Sequence, residues 1–156
     1  MSNEKRNLVF LFVLCSLFFV HCSKTGFLEI RNTQTGLTLG RWTLDEYAEF
    51  AIEFIHSVNM SPVRETYQLK DRKILLQRVR LYSFGAGMSD LDEGLKLSRD
   101  KDAMIICGFN TSFNELNLII GTFSDHVLFI NNEIISLREL AGIPAGSNTH
   151  ITLQYR

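Results

Sequence analysis

Residues 50–69 read FAIEFIHSVNMSPVRETYQL, and this stretch decides the fold class. From Phe50 the apolar side chains alternate, with Phe50, Ile52 and Phe54 on one face and Ala51 and Glu53 on the other. A period of two is that of a half-buried strand. A second run follows over residues 63–69, and His56-Ser57-Val58-Asn59-Met60-Ser61 lies between the two. Turn residues between two such runs predict a hairpin. With Asn59 facing Pro62, the register would set His56 against Glu65, Phe54 against Tyr67 and Ile52 against Leu69.

The same pattern extends outward in both directions. Before the hairpin, residues 27–31 and 37–43 read as strands around the turn Asn32-Thr33-Gln34-Thr35-Gly36. Residues 44–47 read as a loop or a short helical turn. After the hairpin, Lys70-Asp71-Arg72 turns the chain into a long strand over residues 73–82. Residues 85–101 are polar and contain glycine, so a loop is expected there. Further strands are expected over residues 103–109, 116–122, 126–130, 133–137 and 149–155. Asn131-Asn132 is a two-residue turn signal, because Asn tolerates positive φ. One helical turn is expected at residues 137–141. No long period of 3.6 occurs after residue 23. About nine short, mainly antiparallel strands therefore predict an all-β sandwich or partly closed barrel. A parallel α/β sheet lacks the crossover helices it would need.

Residues 1–22 stand apart from this pattern. Lys5 and Arg6 are followed by an apolar stretch over residues 8–20, about 13 residues interrupted only by Ser16. That length suits a secretory signal or short anchor better than a full span of roughly 20 residues. A buried first helix is the competing reading, and the abrupt change at His21-Cys22-Ser23-Lys24 speaks against it. Cleavage after Cys22, lipidation of Cys22 and an uncleaved anchor are the possible ends of the segment. Cys22 follows the apolar run as a lipobox cysteine would, although Phe19-Val20-His21 lacks the usual Leu and small residue. All three place residues 23–156, expected to form one β domain, outside the cytoplasm. Cys15 and Cys22 belong to this segment, so Cys107 alone remains in the domain and no disulfide can form within it. Cys107 lies in an apolar run and reads as a small buried residue.

Apolar residues make up 46% of the chain, enough for a sizeable core. The formal net charge of −1 gives no electrostatic case for nucleic acid as a partner. There is no repeat and no block of like charge.

Polar groups that interrupt the core pattern mark the candidate site, because a buried polar group needs a partner. They are His56, Ser57, Glu65 and Tyr67 around the hairpin, and Ser83, Gly85 and Gly87 in Ser83-Phe84-Gly85-Ala86-Gly87-Met88. His126 is a further candidate. His56 and Glu65 read as a hydrogen-bonded pair that either stabilises the turn or belongs to a binding site. Ser57 is adjacent to His56, so on a strand the two point to opposite faces and form no local nucleophile–base pair. Gly85 and Gly87 allow positive φ and close backbone approach to an anion, but no helix or Lys-Ser/Thr follows, so this is no phosphate loop. The four His occur without His-x-His spacing and there is no Cys-x-x-Cys, so no metal site is expected. Asp90-Leu91-Asp92-Glu93-Gly94 reads as a solvated acidic loop, since the rest of a calcium loop is missing. No cofactor is implied.

Several of these motifs together resemble a bacterial domain-of-unknown-function family, number 1850. The resemblance rests on His56-Ser57-Val58, on Ser61-Pro62-Val63 with Glu65 and Tyr67, and on Ser83-Phe84-Gly85-Ala86-Gly87-Met88. His126-Val127-Leu128 is similar to the family's later His-x-Leu element. The likeness covers roughly residues 37–155, and Ser89 departs from the Pro the family has there. It carries no established activity. It implies a small exported protein encoded beside TRAP transporters of the TAXI type, in which an extracytoplasmic protein captures an organic anion for a membrane permease. The expected function is thus a non-enzymatic, membrane-associated binding or accessory module, with a permease or a small organic anion as partner. A small hydrolase using His56, Glu65 and His126, and a purely structural envelope lipoprotein, are the competing expectations.

Overall fold

In the computed structural model, residues 25–83, 94–122, 124–144 and 146–156 are described. The segment 1–22 with Cys22, the glycines Gly85 and Gly87, and most of the acidic loop lie outside them. The fold is all-β, as the alternation predicts: two antiparallel sheets face each other and do not close into a barrel.

The smaller sheet has the order β2-β1-β12-β9, from Thr38–Asp45, Thr25–Asn32, Thr149–Tyr155 and Glu115–Ile120. The larger has the order β11-β10-β3-β4-β5-β7-β6. Its strands are Glu133–Ser136, His126–Ile130, Glu49–Ile55, Pro62–Lys70, Lys73–Leu81, Ala103–Cys107 and Lys96–Asp100. A two-residue strand β8, Ser112–Phe113, adds to β5.

The core lies where the two inner faces meet. Leu28, Ile30, Leu116, Ile120, Ile151 and Leu153 of the smaller sheet pack against Phe50, Ile52, Tyr67, Leu69, Ile74, Leu128 and Ile130 of the larger. Along β12 every other residue is buried, so there the period read from the sequence is the period of burial. The helical turn α1, Leu137–Leu140, buries Leu137 at the edge of this core. Ser136 caps it by accepting from the Glu139 N–H at 3.0 Å.

Two tight hairpin turns follow their sequence signals. Asp71 and Arg72 sit at φ 49° and 59°, and Asn131 and Asn132 at φ 49° and 64°. Both turns join directly paired residues, Lys70 with Lys73 and Ile130 with Glu133. Paired positive φ matches the right-handed twist of the flanking strands.

The described residues form twelve strands, two more than the ten stretches that read as strands, for a physical reason. β6 occupies a stretch expected to be loop, and all five of its side chains are exposed. A strand at a sheet edge that buries no side chain leaves no alternation in the sequence. β8 is too short to leave one.

The pairing of β4 with β5 is irregular at one point. Tyr67 pairs with Leu76, and Thr66 pairs with Arg78, so Gln77 is an extra residue on β5. This is a β-bulge, and it reverses which residues face inward along the rest of the strand. Before it Ile74 and Leu76 face the core. After it Val79 and Leu81 share the inward face of Glu65 and Val63, and Arg78 and Arg80 face outward beside Thr66 and Arg64.

Candidate functional site

The motif hairpin forms between β3 and β4 in a register that differs from the expected one. Ile55 pairs with Pro62, Phe54 with Val63, Ile52 with Glu65 and Phe50 with Tyr67. The expected contact of His56 with Glu65 therefore does not form. The turn begins earlier than Asn59: the His56 N–H donates to the Ser61 carbonyl and the Met60 N–H to the His56 carbonyl, both at 2.9 Å. Met60 takes φ 49° to close it. Partners are displaced by four residues, an even number, so every side chain keeps its face.

His56 thus belongs to the turn. Its Nδ1 accepts from the Val58 N–H at 3.2 Å, and Asn59 Oδ1 accepts from the Ser61 hydroxyl at 3.0 Å. Ser57 is exposed in the same turn. Glu65 finds its partner on its own strand, where the Tyr67 hydroxyl donates to Oε2 at 2.6 Å. The Tyr67 ring is buried, stacked on Phe50 at 5.3 Å and edge-on to Phe113 at 6.4 Å. Burial raises the Tyr67 pKa well above its ordinary value, and the negative Glu65 beside it adds to the rise. Tyr67 is therefore a standing donor that orients Glu65, not a proton acceptor.

His126 lies opposite Phe54 on β10, and the two rings stack at 5.3 Å with 26° between their planes. Its Nδ1 is buried with no hydrogen-bond partner among the described residues. Burial lowers the His126 pKa, and the nearby Asp125 charge opposes that only in part. Burial thus favours the neutral imidazole. Among the described residues no hydrogen bond joins His56, Glu65 and His126, and no cluster of three or more His, Cys, Asp or Glu could hold a metal.

What the fold does bring together is one end of the larger sheet. His126, Phe54, Val63 and Leu81 pair in one continuous row across β10, β3, β4 and β5. The hairpin turn lies just beyond this row. The Tyr82 N–H donates to the Pro62 carbonyl at 3.3 Å, so Ser83 leaves the sheet beside the hairpin. His56, Ser57, Ser83 and His126 therefore share a pole, with Glu65 and Tyr67 further into the sheet. Ile55, Val58, Met60 and Tyr82 expose apolar surface there, Val58 and Met60 by 74% and 72%. Thr25 sits at the opposite pole, in a shallow cavity with Asp71, Arg72 and the C-terminal Arg156.

A second arrangement escaped the sequence reading. On the outer face of the larger sheet Arg64, Arg78 and Arg80 line an open trough with Thr66, Ala51, Ile105 and Phe129. The spacing Arg78-Val79-Arg80 is visible in the sequence, but the bulge that turns both arginines outward beside Arg64 is not.

A family model described as "Domain of unknown function (DUF1850)" matches residues 50–137, which run from the start of the motif hairpin through β10 and β11 to α1. No curated protein and no solved structure matches the chain. The matched span contains both motif segments and His126, and it covers more than half of the sequence: the chain belongs to the DUF1850 family.

Proposed function

We propose that this chain is a non-enzymatic extracytoplasmic module, held at a membrane by residues 1–22, that serves organic-anion uptake by docking on a transport protein. The observation that carries the reading is the opposition of the two poles. The first described residue, Thr25, lies beside the Asp71-Arg72 turn at one end of β4, and the motif hairpin lies at the other. A nine-residue strand separates the ends by roughly 30 Å. A chain anchored before Thr25 would hold its motif pole away from the bilayer, with Val58 and Met60 at the tip. Exposed apolar side chains on a polar-rimmed tip suit a protein contact.

Affinity purification from native membranes, with mass spectrometry of what co-purifies, tests this. We expect a transporter component with the wild-type protein and its loss with Val58→Ser and Met60→Ser together, at unchanged melting temperature. Retention of the same partner by the double variant would remove the tip from the interface. A partner set without any transport component would sink the uptake reading.

A further inference from the structure

We infer that the outer face of the larger sheet binds a small organic dianion, two anionic groups on a short carbon frame, between Arg64, Arg78 and Arg80. This inference does not depend on how the motif pole docks.

Arg64 and Arg80 are direct cross-strand partners, and Arg78 is opposite Thr66 one step along the same face. Like charges directly opposite one another destabilise a sheet pair. The bulge at Gln77 adds to this, because without it Arg78 and Arg80 would point toward the other sheet. The fold thus gathers three guanidinium groups where a plain hairpin would have separated them.

Carboxylates approach these arginines singly. Glu53 Oε2 takes Arg64 Nε and Nη2, each at 2.8 Å, Glu49 takes Arg78 Nη2 at 2.7 Å, and Asp100 takes Arg80 Nη2. A guanidinium has five N–H groups, so these contacts engage only part of each fork and fix its direction. Of these acids, only Glu49 is among the residues that line the trough; Glu53 and Asp100 hold their arginines from outside that lining.

The trough has about 480 Å³ of space, in the range of small-molecule sites. Arg64 and Arg80 form one anion-binding point, and Arg78 with Thr66 forms the other. Two residues along a strand set them roughly 7 Å apart. The walls between are apolar: Ala51, Ile105 and Phe129, whose ring lies 4.0 Å under the Arg64 guanidinium. Paired forks at a separation call for two anionic groups. Apolar walls between them call for carbon rather than a bare inorganic ion.

Isothermal titration calorimetry of the purified full-length protein in detergent, with succinate, acetate and inorganic phosphate as probes, tests the inference. We expect succinate to bind at least about tenfold more tightly than acetate or phosphate. Arg80→Gln and Arg78→Gln should each weaken succinate about tenfold or more, and Arg99→Gln, on the opposite face of β6, should leave it unchanged. Phosphate binding as tightly as succinate overturns the organic class. No succinate heat, or heat unaffected by both trough variants, overturns the site. Should either variant fail to fold, amide chemical-shift changes in the wild-type protein decide. Succinate-induced shifts at Ala51, Arg64, Thr66 and residues 78–80 support the trough, and shifts elsewhere or none reject it. Partner loss from membranes on substituting Val58 and Met60 leaves these readouts untouched, so the two ideas fail separately.

Discussion

At the residue scale, His56 and Glu65 show how far a local pattern reaches. Both were legible as polar groups needing partners, and both have one. His56 Nδ1 takes the Val58 N–H and Glu65 takes the Tyr67 hydroxyl, instead of each taking the other. His56→Ala and Glu65→Ala should therefore destabilise independently. In urea titrations the double variant should equal the sum of the singles within about 0.5 kcal/mol. A clearly smaller loss would restore the direct contact. His126 makes a pH prediction. Its folded pKa is lowered by burial, so below the ordinary value of 6.5 the unfolded chain binds a proton that the folded chain resists. Stability should be full above that pH and should fall as pH drops below it. His126→Phe should flatten this slope while keeping a ring on Phe54, as followed by melting temperature between pH 7 and pH 5. An unchanged slope in the variant would assign it to another group.

At the element scale, turn chemistry was legible where two residues close a hairpin and not where six do. Asp71-Arg72 and Asn131-Asn132 each carry their signal in place. Residues 56–61 offered several closures, and hydrogen bonds of His56 with both Met60 and Ser61 chose among them. The Asp71-Arg72 turn also stores a cost. A non-glycine residue in the left-handed region gives up roughly 1–2 kcal/mol. Replacing Asp71→Asn with Arg72→Gly supplies the pair that this turn favours. The expected result is a gain of about 1 kcal/mol and a melting temperature higher by several degrees. A lower melting temperature would show that Arg72 contributes contacts that outweigh its backbone strain. Bulges and edge strands stayed hidden at this scale. Gln77 looks like any strand residue, and β6 buries nothing that would mark it.

At the scale of the whole molecule, the proposed membrane attachment gives one more test. If Cys22 is lipidated, the full-length protein should partition with membranes and Cys22→Ala should release it or block its maturation. Cys22→Ala protein that stays bound at its uncleaved mass would make residues 1–22 a plain anchor. For residues 25–156 the division between sequence and tertiary structure is clear. Sequence alone determined the all-β class, the inward and outward faces of β3, β4 and β12, the two tight turns and the family. Each of these depends on a period of two or on a local backbone preference, and both are written into consecutive residues. Tertiary structure decided the register of the motif hairpin, the pole shared by His56, Ser83 and His126, and the grouping of Arg64 with Arg78 and Arg80. An even slip of register leaves the alternation unchanged, so the pattern cannot specify it. A bulge reverses the alternation without a residue type that announces it, so the arginine face exists only once β4 and β5 are paired.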